Sequence, residues 1–312
     1  MPASASTPLV TVITSTFNRS ATLKVALQGL LNQDFADFES LVIGDGCTDD
    51  SEQAVKSLND SRLNWINLPT NSGSQTVPNN EGLRRARGKY VAFLGHDDLW
   101  LPWHLSTLAA QIRKNGADLV HDLSINIGPE GVLDANGPPH PLEGYDRIYV
   151  PTSSWLHRRE LFEEVGGWRD PWSLLWPIDY DFSRRVAVAG KRIEYVPSLG
   201  VLKFPSLSWK TYALSGKAPA KKYFEAIREN PEALARRVLT ELATKHAQLT
   251  QQGGRKTFRL AWYEFQQALT STAKAALRGM CECYGVERWP LQSLLRNRFQ
   301  RIRVKNRKRR GL

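Results

Sequence analysis

The stretch LVTVITSTFNRSATLKVALQGLLN, residues 9–32, sets the fold class. Its first nine residues are a short apolar run rich in β-branched side chains, the composition of a buried strand. Ser15, Thr16, Asn18 and Arg19 then mark a polar break around Phe17, and residues 21–32 repeat their apolar positions at helical spacing. The alternation continues outward. Residues 38–45, 63–68, 89–95 and 117–122 are further strand candidates, and residues 101–115 form another helix candidate. Strand, helix and strand in series predict an α/β fold with a mostly parallel sheet covered by helices on both faces. Ligands of such sheets bind beyond the carboxyl ends of the strands, so the polar residues that follow each strand are the candidates for chemistry. Three clusters stand there: Ser15 to Arg19, Asp45-Gly46, and His96-Asp97-Asp98.

The 312 residues are 41% apolar and 23% charged, which excludes a disordered or collagen-like chain. No window reaches the roughly 18 consecutive apolar residues of a membrane-spanning helix, and MPASASTPLV has no signal-peptide pattern, so a cytoplasmic location is expected. Cys47, Cys281 and Cys283 form no C-x-x-C pair and are expected as reduced thiols. The net charge of +11 is unevenly placed. Residues 1–204 hold 19 Lys and Arg against 24 Asp and Glu, whereas 205–312 hold 23 against 7. An acidic body therefore carries a basic tail, which attracts anionic polymers or lipid head groups.

Five segments taken in order, VTVITSTFNR (10–19), DFESLVIGDGCTDDS (37–51), NNEGLRRARGKYVAFLGHDDLWLPWHL (79–105), RRELFEEVGGWRD (158–170) and PIDYDFSRRVAVAGKRIEYVP (177–197), resemble the successive motifs of glycosyltransferase family 2. The resemblance implies a GT-A (Rossmann-like) fold and inverting transfer from a nucleotide-sugar. No G-x-G-x-x-G follows the first strand, which lowers the case for a dinucleotide-binding oxidoreductase.

Each motif also has its own chemistry. Phe17 offers a face for a nucleotide base, with Ser15, Thr16, Asn18 and Arg19 around it; by resemblance this is the uracil side of a UDP-sugar pocket, to which Asn80 also belongs. Asp45 could accept the imide N–H of uracil, or could simply be a turn residue in Gly44-Asp45-Gly46, where the family usually has a second acid at position 44. The family's Asp-x-Asp motif falls on Gly95-His96-Asp97. Its first acid is absent, Asp97 matches the ligand of Mn²⁺ or Mg²⁺, and Asp98 is expected to brace the loop. His96 is either a nitrogen ligand or an unligated loop residue. Phe204-Pro205 stand where many relatives have a histidine, which predicts weak or nucleotide-dependent metal binding. Inverting transfer needs one general base and no enzyme nucleophile. Asp179 matches the base of the acceptor-side motif, with Ile178 in place of the usual Glu; helix capping is the alternative for Asp179 and the expectation for Asp181, with Arg185 one turn on to hold it.

Trp155, Trp168, Trp172 and Trp176 lie within 22 residues and read either as core or as a sugar-stacking wall. Trp168 and Trp176 are the acceptor candidates. Residues 125–147 read as a long loop. The predicted organisation is a GT-A domain over 1–204, a helical extension over 205–290, with helical segments at 221–250 and 256–284 interrupted at Asn230-Pro231 and Gly253-Gly254, and a basic amphipathic helix and tail over 291–312. The tail fits an anionic membrane surface, on whose inner face the enzyme would sit peripherally; nucleic acid is electrostatically equal but no nucleic-acid motif is present, and a solvated tail is the third reading. The expected partners are a nucleoside diphosphate sugar and a glycan, lipid-linked or small-molecule acceptor, in cell-surface polysaccharide assembly. A degenerate, binding-only relative is the alternative, as is a basic nucleic-acid-associated protein.

Overall fold

The computed structural model describes residues 7–137, 144–145, 149–174, 177–209 and 218–251. In chain order the first elements are β1 (Val10–Thr16), α1 (Ser20–Leu31), β2 (Phe38–Gly44), α2 (Ser51–Lys56), β3 (Leu63–Asn67), α3 (Thr76–Arg85) and β4 (Tyr90–Phe93). They are followed by β5 (Leu99–Trp100), α4 (His104–Asn115), β6 (Leu119–Gly128), β7 (Gly131–Asn136), β8 (Trp155–Arg158) and α5 (Leu161–Val165). The remainder comprises α6 (Ile178–Val188), β9 (Ile193–Lys203), α7 (Ser206–Trp209), α8 (Lys221–Glu229) and α9 (Pro231–Gln251).

The nine strands described make one sheet, ordered β3-β2-β1-β4-β8-β6-β9-β5, with β7 added on β6. The strands β3, β2, β1 and β4 run parallel, as their order in the sequence predicts. Beyond β4 the sheet becomes mixed. Strand β8 runs antiparallel to both β4 and β6, and β6 and β9 are parallel. The sheet is thus less uniformly parallel than the simple strand–helix alternation implies, because β8 enters it between two strands that it opposes.

Strand β1 shows why its sequence is almost continuously apolar. Val10 and Val12 pack with Leu23, Leu27 and Leu30 of α1, while Ile13 joins Leu83, Phe93 and Phe182 in a second cluster. Both faces are covered, so both alternating sets of side chains are buried. The first cluster also holds Trp100, Leu105 and Leu108, and is tied to β6 by His104 Nδ1, which donates to Asp122 Oδ2 at 2.6 Å with both side chains fully buried.

Residues 125–147 do not form one long loop. Strand β6 continues to Gly128 and pairs with β7 as an antiparallel hairpin, Gly128 opposite Gly131, with a bulge at Asn126/Ile127. Of the Gly and Pro residues that suggested a loop, Gly128, Pro129 and Gly131 mark its two-residue turn. Residues up to Arg237 form one compact unit, and 238–311 cluster as a second. The first therefore runs past residue 204: in α8, Tyr223 meets Phe204 edge-on at 5.2 Å, and Tyr223, Phe224 and Ile227 are buried. The break at Asn230-Pro231 divides α8 from α9, with Asn230 Oδ1 accepting the Ala233 N–H at 2.8 Å. The expected helix at 256–284 and the basic segment 291–312 lie outside the described residues.

Candidate functional site

At the end of β1, Asn18 takes a positive φ of 49° and turns its amide toward the loop after β2. Its Oδ1 accepts the N–H of Thr48 at 2.8 Å, and its Nδ2 donates to Thr48 Oγ1 at 3.2 Å. Asn18 is therefore a clamp between two loops at the strand end where the nucleotide is expected. Thr16 is buried, whereas Ser15, Phe17 and Arg19 are half-buried at the strand end.

Asp45 is 4% exposed and its carboxylate collects donors from the 71–73 loop: Asn71 Nδ2 at 3.1 Å, Ser72 N and Ser72 Oγ at 3.0 Å, and Gly73 N at 3.3 Å. The carboxylate that sequence alone offers to uracil faces inward as the hub of that loop. Asn80 is likewise engaged within the protein. It donates to the Trp168 carbonyl at 2.8 Å and accepts the Trp168 N–H at 2.9 Å, so both halves of its amide tie α3 to the segment after α5.

Both positions at which an acid is missing are sterically closed. A Cβ at Gly44 would lie 2.5 Å from Asn67 Oδ1 and 2.7 Å from the Trp65 ring, and one at Gly95 would lie 2.5 Å from Asp98 Oδ2. At position 95 the reason is the fold of the loop itself. Asp98 turns back over Gly95, is 3% exposed, and receives Ser153 Oγ at 2.5 Å and Lys203 Nζ at 2.6 Å. Its side chain thus braces the loop. His96 Nδ1 donates to the Ser15 carbonyl at 3.1 Å, which joins the end of β4 to the end of β1. Asp97 is half-buried, and its Oδ2 accepts Ser206 Oγ at 2.9 Å.

On the far side of this cluster stands α6. Asp179, in its first turn, accepts its neighbour's N–H (Tyr180) on Oδ1 at 3.0 Å and the Tyr149 phenol on Oδ2 at 2.7 Å. Burial lifts its carboxyl above the usual range, against the pull of Tyr149, the Tyr180 N–H and the Lys203 charge. Asp181 is not a cap: no side-chain cap is present on α6, and Asp181 is buried with its Oδ2 accepting Arg185 Nε at 2.9 Å. Arg185 also donates to the Gly166 and Gly167 carbonyls at 2.7 Å, so the pair secures α6 to the α5 loop.

Trp168 is corrected from acceptor wall to core. It is 3% exposed, stacked on Phe182 at 5.1 Å and edge-on to Phe93 at 5.2 Å. Trp155 is fully buried beside it. Trp176 lies outside the described residues.

Two residues that motif reading passed over complete the site. Lys203 ends β9 between the two acidic groups: burial opposes its charge, but Asp98, with Asp97 and Asp179 further off, holds the ammonium above its usual range. Tyr149 binds Asp179, as above. A lysine closing the apolar end of β9, Leu199-Gly200-Val201-Leu202-Lys203, is the one sequence signal that could have flagged the first. Among the described residues no group of three His, Cys, Asp or Glu side chains could hold a metal by itself. The donors present fit a cation that arrives with anionic oxygens of a ligand, since Asp97 bonds to Ser206 through Oδ2 alone, whereas Asp98 gives its Oδ2 to both Ser153 and Lys203.

Parallel strands ending in a braced acidic loop, with a second carboxylate on a helix across from it, define a GT-A-type α/β enzyme. The glycosyl transferase family 2 model matches residues 11–166, half of the chain, and the chain belongs to that family. It is 39% identical over 115 residues to the GalNAc(5)-diNAcBac-PP-undecaprenol beta-1,3-glucosyltransferase of Campylobacter jejuni, covering 35% of this chain and 36% of that protein. It is 26% identical over 251 residues to the glycosyltransferase YwdF of Bacillus subtilis, covering 76% of this chain and 87% of the relative. The chain spans between 36% and 52% of the length of the first three curated relatives it matches. In fold it resembles Staphylococcus aureus TarS 1–349 in complex with UDP-GlcNAc, with TM-score 0.54, 24% identity, and coverage of 62% of this chain and 58% of the other.

Proposed function

We propose that the chain is an inverting glycosyltransferase that moves a sugar from a UDP-sugar to a hydroxyl on a lipid-linked glycan acceptor. The observation that carries this reading is the cluster around Lys203, whose ammonium is held by Asp98 at 2.6 Å and is favoured by the charges of Asp97 and Asp179, at the strand ends of a family 2 fold. The C. jejuni relative is named for a glucosyltransferase acting on a polyprenyl-diphosphate glycan, and an Escherichia coli relative, 27% identical over 113 residues, for a UDP-Glc-dependent one. Both support the choice of donor and acceptor class.

In this reading the acceptor oxygen attacks the anomeric carbon as the bond to the diphosphate oxygen breaks. The nucleoside diphosphate leaves with the bonding pair, and the acceptor's proton passes to Asp179. Lys203 stands where its charge meets the diphosphate side of the site, held by Asp98. Asp97 would hold a Mn²⁺ or Mg²⁺ ion, which when bound neutralises the diphosphate. Retention of Asp97 and Asp179 weighs against a binding-only relative.

The location is proposed to be peripheral on an anionic membrane surface through the basic segment 291–312; no described helix is long and apolar enough to cross a membrane. Equal flotation on anionic liposomes of the full chain and of a chain ending at residue 290 would overturn that part. The donor is tested by thermal shift with UDP, GDP, CDP and dTDP in Mn²⁺, Mg²⁺ or EDTA. Selective stabilisation by UDP is expected, and equal stabilisation by all four would overturn the choice of base.

A further inference from the structure

Among the described residues, the side chain that joins Asp179 to the rest of the site by a hydrogen bond is Tyr149, whose phenol donates to Oδ2 at 2.7 Å. Two rigid supports meet there. Tyr149 precedes Val150, which is 2% exposed in the core, and the Thr152–Ser154 turn leads from it straight into β8, clamped between β4 and β6. Asp179 hangs from α6, which is pinned by buried Phe182 and Val186 and by the Asp181–Arg185 pair. An aspartate has two free torsions, and the Tyr180 N–H on Oδ1 comes from the adjacent residue, so that bond alone sets little of the carboxylate's direction. The phenol fixes it from outside the helix.

We propose that Tyr149 is the positioning residue of the acceptor side, its O–H holding the Asp179 carboxylate in the orientation that receives the acceptor's proton. This rests on the reading of Asp179 as the base. Hydrogen-bond capacity allows it: each carboxylate oxygen has two lone pairs, and the Tyr149 and Tyr180 donors take one on each, leaving one on each for a substrate hydroxyl. A bond from a neutral phenol to a carboxylate is charge-assisted and strong enough to hold a short side chain. The phenol does not compete for the proton, because burial and the Asp179 charge both raise its own pKa.

The groups facing Asp179 are Tyr149 from the segment before β8 and Lys203 from β9, with Asp98 and Asp97 behind the lysine. Removing the phenol leaves the lysine charge in place and takes away one stabiliser of the ionised base. Tyr149→Phe keeps the ring and removes only the hydroxyl, so the variant is expected to fold. Two measurements on the full chain test the proposal. The first is glucose transfer from UDP-glucose to GlcNAc-diphosphoundecaprenol; the second, free of substrate, is a ¹³C-carboxyl NMR titration with the Asp179 signal assigned from Asp179→Asn. Tyr149→Phe is expected to lower kcat by about 10- to 100-fold with KM for UDP-glucose within about twofold. The acid limb of its kcat/KM profile and the Asp179 titration should both move to higher pH. An unmoved Asp179 titration overturns the proposal, as does a loss confined to KM. Activity in Asp179→Asn beside a shifted titration in Tyr149→Phe would overturn the base assignment instead, leaving the contact but not its catalytic purpose.

Discussion

On the donor side of the site, at the ends of β1, β2 and β4, the polar side chains that a motif reader would aim at the ligand are turned into the protein. Asn18 clamps the 47–49 turn, Asp45 gathers the 71–73 loop, and Asp98 is enclosed by Ser153 and Lys203. On the acceptor side the reverse holds. Asp179 is half-buried and, among the described residues, is hydrogen-bonded by the Tyr149 phenol and its own neighbour's N–H. The donor loops are assembled in advance, so binding there meets backbone and aromatic surface already in place; the acceptor side keeps a group whose proton affinity can still respond to what arrives.

The largest effect expected from breaking this contrast is at Asp179. Asp179→Asn removes the proton acceptor while keeping shape, and transfer is expected to fall by about 10²- to 10⁴-fold with UDP affinity unchanged. Activity within a fewfold of wild type would show that the acceptor side does not carry the base. The pH profile sharpens the same point. The Asp179 carboxyl is raised and must be ionised to act, so activity should be absent at low pH and rise through a value above the ordinary aspartate range. A limb at or below that range would mean that another group limits the rate.

Next come two stability effects that separate brace from ligand. Trp168→Ala empties the space between Phe182 and Phe93 and should cost about 3–5 kcal/mol, read as a Tm fall of several degrees. Were Trp168 an acceptor wall instead, the variant would keep its Tm and lose only acceptor affinity. Asp45→Ala strands the Ser72 and Gly73 N–H groups and removes one acceptor of the Asn71 amide, an expected loss of about 2–4 kcal/mol without nucleotide. An unchanged Tm with lost UDP selectivity would return Asp45 to the base-reading role.

These residues also show what the sequence made legible. The strands β1 to β4 and the helices α1, α4, α8 and α9 follow from local periodicity, and their ends fall within a few residues of the expected bounds. The β6–β7 hairpin was hidden because its Gly and Pro residues advertise a turn while its pairing is not visible in composition. At the site, the positions of Asp97, Asp98 and Asp179 come from ordered motifs, but the partner each one chooses does not. Lys203 reaches Asp98 across 105 residues and Asn80 reaches Trp168 across 88. No spacing rule in the chain encodes such a contact; it appears only when β9 and α3 are folded against the loops. Tryptophan likewise reads the same whether it stacks on Phe182 or on a sugar, since both surfaces are apolar and flat.

The smallest effect expected is the most discriminating for the donor side. Among the described residues Asp97 carries one hydrogen bond, from Ser206, and is half-buried, so Asp97→Ala should change stability by no more than about 0.5 kcal/mol, a small Tm shift. Its consequence should appear only with ligand. If a divalent ion enters with the diphosphate and uses Asp97, UDP should stabilise the wild type more in Mn²⁺ than in EDTA, and the variant should show the EDTA behaviour under both conditions. Lys203 remains in the variant and still offers its charge, so some stabilisation by UDP should survive in EDTA in both proteins. Complete loss of UDP binding in EDTA would mean that the lysine is consumed by Asp98 and gives the diphosphate nothing, leaving the whole of the donor charge to the ion. Equal stabilisation with and without Mn²⁺ would mean the opposite, that the ammonium at the end of β9 suffices and that Asp97 serves only to receive Ser206.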